Sequence, residues 1–118
     1  MTARGVDVGA RGSRSVTVPF TTESDRAREA GRVVRHLRSG GLILYPTETV
    51  YGLGCMLEPA ALDRLAALKG REGDRPFLLL VDSPGRLERV HWTRAGRRLA
   101  DAFWPGPLTI VLRAEAGA

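Results

Sequence analysis

Residues 41–54 read Gly-Leu-Ile-Leu-Tyr-Pro-Thr-Glu-Thr-Val-Tyr-Gly-Leu-Gly, and they limit the fold more than any other stretch of the chain. An apolar run breaks at Pro46 into hydroxyls, one carboxylate, an aromatic ring and two glycines. Leu42, Ile43 and Leu44 suit a buried strand that can extend to Tyr45. Proline cannot donate to a sheet ladder, so the strand ends at Pro46 or leaves its partner there. An ordinary turn needs only the glycines. It does not need Thr47, Glu48, Thr49 and Tyr51 crowded together, so the stretch reads as a strand whose end opens into a site. Gly52 and Gly54 allow a tight backbone path near a ligand.

The segments on either side set the fold class. Residues 1–14 are rich in Gly, Arg, Ser and Ala without periodicity and read as a disordered lead-in, with residues 15–118 as the folded domain. Val16, Val18 and Phe20 alternate with polar residues, predicting a short strand with Pro19 at its edge or end. Thr21 or Thr22 offers an N-cap, and Ala27, Ala30, Val33, Val34 and Leu37 fall at helical spacing before Gly40 and Gly41 stop the helix. A second helix is expected over residues 58–69, with Pro59 in its first turn and Gly70 at its end. Residues 73–76 read as a loop, and Phe77 to Val81 as a strand buried on both faces. A turn at 82–85 and a short helix at 86–90 follow. Thr93 caps a third helix with Leu99, Ala102 and Phe103 inward, stopped by Trp104-Pro105-Gly106-Pro107. Leu108 to Leu112 is a last strand. Strand and helix alternating in this way predict an α/β domain.

Composition narrows the function classes. The chain has 118 residues, 43% of them hydrophobic, an ordinary balance for one globular domain. No apolar run approaches the roughly 20 residues that span a bilayer, so no membrane partner is expected. Cys55 is the single cysteine, which excludes an intrachain disulfide and fits a reducing cytoplasm. Its surroundings mark no base, so it reads as a small buried thiol and not a nucleophile. His36 and His91 do not make a metal-spaced set with it, and no metal ligands are assigned. The net charge is +5, and of the 18 basic residues Lys69 is the single lysine. The arginines are spread along the chain, which suits either a solvated surface or attraction to nucleotides or RNA. Lys69 and Arg71 stand at and just past the end of the second helix. They either complement the helix dipole or clamp a phosphate. Neither the phosphate-loop spacing nor the dinucleotide fingerprint is present.

With these segments placed, the chain resembles the YrdC-type threonylcarbamoyl-AMP synthase family. Tyr45-Pro46-Thr47-Glu48-Thr49-Val50-Tyr51-Gly52-Leu53-Gly54 is similar to that family's early signature. Leu68-Lys69-Gly70-Arg71, followed by Arg75-Pro76-Phe77-Leu78-Leu79-Leu80-Val81, resembles its Lys-x-Arg element and next strand. Phe103-Trp104-Pro105-Gly106-Pro107-Leu108-Thr109 resembles its Trp-Pro-Gly-Pro element. The three lie in the family's order across residues 22–113.

The resemblance implies a YrdC-like α/β fold, a twisted sheet with flanking helices. It also implies a nucleotidyl transfer in which L-threonine, bicarbonate and ATP give threonylcarbamoyl-AMP and pyrophosphate. That product feeds threonylcarbamoyladenosine formation in tRNA through a downstream transferase partner. Carried over by position, Thr47 would contact threonine. Lys69 and Arg71 would hold ATP phosphates, and Thr109 would line the nucleotide site. Magnesium would accompany ATP. Glu48 would orient a neighbour or the metal, with a structural hydrogen bond as its plainer role.

Two departures bear on activity. The resemblance covers only the first part of the family domain, so the sheet is expected to be incomplete on its C-terminal side. The later Val-Arg strand and Ser-x-Asn-x-Ser-Gly element are not found in these residues. Phe77 replaces a common leucine and Glu72 a common proline. The implied expectation is a synthase domain inactive as this chain, with exposed strand edges that favour self-association. The alternative is a non-catalytic module that binds RNA, including double-stranded RNA, or a protein partner. A hydrogenase-maturation carbamoyltransferase is disfavoured, because those proteins carry further zinc-finger-like and acylphosphatase-like parts.

Overall fold

The computed structural model describes residues 6–9, 15–70 and 77–117. The chain divides into two compact units, Met1–Arg75 and Pro76–Ala118.

The first unit carries an antiparallel sheet of four strands in the order β2-β1-β3-β4, where β1 is Val6–Gly9, β2 Ser15–Val18, β3 Ile43–Pro46 and β4 Tyr51–Gly54. β1 lies between β2 and β3, pairing Val8 with Val16 on one side and with Ile43 on the other. Residues 6–9 therefore depart from the expected disordered lead-in of residues 1–14. Val6-Asp7-Val8 alternates as a strand does, and two ladders hold it. The rest of that lead-in lies outside the described residues.

Helix α1, Glu23–Arg38, covers one face of this sheet. Thr22 caps it with a reciprocal box: the Asp25 amide donates to Thr22 Oγ1 at 3.0 Å, and the Thr22 amide donates to the Asp25 carboxylate at 3.0 Å. Val33 on α1 and Val18 on β2 are buried together, with Phe20, Leu37, Ile43 and Tyr45 packed around them. Burying one such side chain contributes roughly 1.5–3 kcal/mol, so this small cluster is the main fastening between helix and sheet. The helix stops where expected, with Gly40 at φ 83°. His36 Nε2–H then donates to the Leu42 carbonyl at 2.9 Å, tying the helix end to the approach of β3.

Helix α2, Pro59–Lys69, begins with proline in its first turn and ends at Gly70 in the left-handed conformation, φ 64°. Ala61 and Leu65 are its buried residues. The Arg64 guanidinium donates to the Gly40 carbonyl and so links α2 to the end of α1.

The second unit holds a 3-10 turn at Pro84–Arg86, the two-stranded pair β5 (Val90–His91) and β6 (Arg113–Ala114), and helix α3, Arg94–Phe103. Thr93 caps α3 through its hydroxyl, which accepts from the Gly96 amide at 2.9 Å. Trp104 Nε1–H donates to the Leu108 carbonyl at 2.7 Å and closes the Trp-Pro-Gly-Pro loop. Its ring meets Trp92 edge to face, with centroids 6.0 Å apart.

Mixed α/β architecture is thus observed, with three α-helices and antiparallel ladders among the described residues. Four local expectations are corrected. Phe77 to Val81 is not a strand: its apolar composition suits one, but no partner strand lies beside it among the described residues. Leu108 to Leu112 is likewise unpaired, and pairing begins only at Arg113. The short helix expected at 86–90 is replaced by the turn at Pro84–Arg86, where proline fits the first position. Finally, α3 buries Gly96 and Ala100, while Leu99, Ala102 and Phe103 are exposed. At Gly96 the side chains of Leu112 and Trp92 stand close, leaving no room for a bulky side chain.

Candidate functional site

The organising stretch forms a β-hairpin. Pro46 pairs with Tyr51, Tyr45 with Gly52, and Ile43 with Gly54, leaving residues 47–50 as the connecting loop. Side chains alternate across a strand, so Ile43, Tyr45, Gly52 and Gly54 share the face covered by α1.

The glycines serve Tyr45. A Cβ at Gly52 would sit 2.8 Å from Tyr45 Cζ, and one at Gly54 would sit 3.1 Å from Tyr45 Cε1. Neither glycine has a positive φ, so both are required for space and not for backbone conformation. The sequence reading gave their tight path to a ligand; on this face the space is filled by the tyrosine ring.

Thr47 organises the loop. Its amide donates to the Val50 carbonyl at 3.2 Å, and its hydroxyl donates to the same carbonyl. Its Oγ1 accepts from the amides of Thr49 at 3.3 Å and Val50 at 3.2 Å. A threonine hydroxyl has one proton and two lone pairs, so all three are used. A substrate contact by this hydroxyl would replace one of the two longer bonds. The loop residues Thr47, Glu48, Thr49 and Val50 are exposed.

Lys69 is the last residue of α2 and is exposed, in the same unit as Thr47. Arg71 lies outside the described residues. Thr109 is exposed in the second unit, beside Leu108, whose carbonyl Trp104 holds. Cys55 is half-buried; burial pushes its thiol up, and the nearby Arg64 charge opposes this in part. A raised thiol is a poor nucleophile at neutral pH, in keeping with its reading as a packing residue. Among the described residues, no group of three or more His, Cys, Asp or Glu side chains is gathered to hold a metal ion. Among them, too, no helix is long and apolar enough to cross a membrane.

Sequence reasoning missed Tyr45 as the support of the hairpin and Arg64 as the link between the two helices of this unit. Tyr45 had a usable signal. An aromatic paired in register with one of two glycines spaced by two residues is the pattern of a ring lying across a strand.

The family described as "Telomere recombination" (Sua5/YciO/YrdC) matches residues 35–118. The chain is 42% identical over 98 residues to a threonylcarbamoyl-AMP synthase of Thiobacillus denitrificans, covering 80% of this chain and 52% of that protein. It is 43% identical over 79 residues to a protein of the same name from Pyrococcus abyssi, covering 64% of this chain and 23% of that one. A Mus musculus protein of the same name is 35% identical over 80 residues, covering 67% and 29%. The chain thus spans about half the length, or less, of these curated relatives. No solved structure matches. The match takes in the hairpin, the end of α2 and the Trp-Pro-Gly-Pro loop, the three elements on which the resemblance rested, and the chain belongs to the Sua5/YciO/YrdC family.

Proposed function

We propose that the chain is part of an L-threonylcarbamoyl-AMP synthase. The observation that carries this reading is its 42% identity over 98 residues to a relative of that name. The threonine amine takes up bicarbonate to become a carbamate, with loss of water. A carbamate oxygen then attacks the α-phosphorus of ATP, and pyrophosphate leaves. Such transfers depend on positioning and on cations near the developing charge. Thr47 is the threonine contact in this proposal, Lys69 and Arg71 hold ATP phosphates, and Thr109 lines the nucleotide site. The exposed position of Lys69 at a helix end supports reach toward a phosphate. Magnesium would accompany ATP, held by phosphate oxygens and water, as it commonly is.

The product would supply a threonylcarbamoyl group to a transferase that modifies tRNA, in the cytoplasm. A second reading, a non-catalytic RNA-binding or partner-binding module, is favoured by α3. Arg94, Arg97 and Arg98 are exposed there, and Arg97 lies 5.2 Å from the centroid of the Trp92 ring. A phosphate-driven contact must weaken steeply as salt rises, so tRNA binding across salt concentrations separates the two readings.

The decisive test replaces the matched region of the Thiobacillus denitrificans relative with the corresponding residues of this chain. The chimera is expected to release pyrophosphate that depends on both threonine and bicarbonate. Lys69→Ala should lower that release on the order of a hundredfold, the scale set by removing one charge-stabilising group. The unmodified chain alone is expected to release none. A folded chimera without threonine-dependent release would remove the enzyme reading.

A further inference from the structure

Arg64 stands midway along α2, and its guanidinium donates to the Gly40 carbonyl. Gly40 is buried, so its carbonyl needs a donor in place of water, and Arg64 supplies it. The two residues are fitted to each other. A Cβ at position 40 would sit 2.5 Å from Arg64 Nη2, at a residue whose φ of 83° already favours glycine. The same guanidinium charge reaches Cys55, where it opposes the effect of burial on the thiol. Gly40 lies three residues before Ile43 and Cys55 one after Gly54, and Ile43 pairs with Gly54 at the open end of the hairpin. Arg64 therefore meets the hairpin at the end opposite the Thr47 loop.

Apolar burial alone does not orient α2. Ala61 and Leu65 are its buried side chains, and neither belongs to the Val18–Val33 cluster. Apolar burial is non-directional, whereas the planar guanidinium donates in a fixed geometry. Residues 55–58 join the start of α2 to β4, and Arg64 attaches its middle to the approach of β3. Two points of attachment set the direction of a helix. Lys69 stands beyond both, at its last position.

We propose that Arg64 is a positioning residue for Lys69: by holding α2 at the Gly40 carbonyl, it sets where the Lys69 ammonium meets a phosphate. The inference rests on the phosphate role proposed for Lys69. A cation beside a transferring phosphoryl group acts through its placement, and a displacement of about 1 Å can cost about a hundredfold.

The test is a double-mutant cycle in the chimera described above, read as kcat/KM for ATP. Arg64→Met keeps much of the side chain's length and removes its donors. It is expected to lower kcat/KM by between about ten- and a hundredfold. In a Lys69→Ala background the same change should alter it by less than about threefold, because the group that Arg64 places is gone. Arg64→Lys retains a donor and should recover part of the loss. Val33→Ala removes packing from the core cluster, so it should lower stability and leave kcat/KM unchanged. Equal effects of Arg64→Met with and without Lys69 would overturn the proposal, as would a Val33→Ala loss as large as that of Arg64→Met. Amide exchange in the 118-residue chain reads the same attachment without catalysis. Arg64→Met should speed exchange from Leu65 to Gly70 while the β3–β4 ladder keeps its protection. Unchanged exchange in α2 would also overturn the proposal. A parent chimera that releases no pyrophosphate would instead remove the synthase reading, and faster α2 exchange would then leave Arg64 a structural link only.

Discussion

Tyr45 faces Gly52 directly across the β3–β4 ladder, and its ring fills the space that a side chain at position 52 would need. Tyr45 also packs against the Val18–Val33 cluster, so the ring cannot retreat without disturbing the core. Gly52→Ala is therefore expected to destabilise the chain by about 1–3 kcal/mol, as overpacking does. The atoms that would clash, Cζ, Cε2 and Oη of the tyrosine, do not exist in leucine. In a Tyr45→Leu background the same alanine should cost less than half as much. Urea unfolding of the four proteins in this cycle measures the coupling. Additive effects would mean that the ring does not dictate the glycine.

The Thr47 hydroxyl stitches the hairpin loop from within, donating to one carbonyl and accepting from two amides. Thr47→Val keeps the shape and removes all three bonds. Each net bond is worth about 1 kcal/mol, less where geometry is long, so a loss of about 1–2 kcal/mol is expected. Faster amide exchange at Thr49 and Val50 should accompany it. Thr47→Ser retains the hydroxyl and should restore both readouts to near the parent values.

The helices were legible in the sequence because their signals are local. Thr22, Thr93, Pro59, Gly40 and Gly70 cap, start or stop them where propensity places them. The hairpin strand was legible too, since Pro46 limits it chemically. The apolar runs at 77–81 and 108–112 were not resolved in the same way. Their composition carries strand propensity, but a strand also needs a partner, and nothing in four or five apolar residues specifies one. The inward face of α3 failed for a related reason. Hydrophobicity selected Leu99 and Phe103, whereas the residues buried are Gly96, which Trp92 and Leu112 approach closely, and Ala100. At the site, the roles proposed for Thr47 and Lys69 came from the family resemblance and not from residue type, and the local bonds that occupy Thr47 depend on loop geometry that no motif encodes.

Trp104 anchors the loop after α3 by one polar and one aromatic contact. Trp104→Phe keeps an aromatic edge toward Trp92 and removes the Nε1–H that donates to the Leu108 carbonyl. The expected loss is about 1 kcal/mol, with larger effects confined to the loop. Amide exchange in residues 105–109 reads this locally, and Thr109 should be among the residues whose exchange accelerates.

The start of α1 should carry a measurable pH dependence. Hydrogen bonds from Thr22, first through its backbone amide, hold the Asp25 carboxyl below the ordinary aspartate value; partial desolvation opposes them. Thr21 and the Arg28 guanidinium, 2.9 Å from Asp25 Oδ1, add to the lowering. A carboxyl depressed in the folded state stabilises it above the unfolded value, and that contribution disappears as pH falls through the folded value. The parent chain should therefore lose stability on acidification from the ordinary aspartate range downward, beyond what its other carboxyls cause. Asp25→Asn should be less stable than the parent at neutral pH, with the gap closing across that window. Thr22→Ala, which removes the cap itself, should cost about 1 kcal/mol at neutral pH. It should reduce the pH dependence only in part, because it removes the contribution of the Thr22 hydroxyl and leaves the Thr22 backbone amide, the largest cause of the Asp25 shift. Thermal melts of the three proteins across the acid range decide it: a gap between parent and Asp25→Asn that stays constant with pH would show that the box is not what lowers the carboxyl.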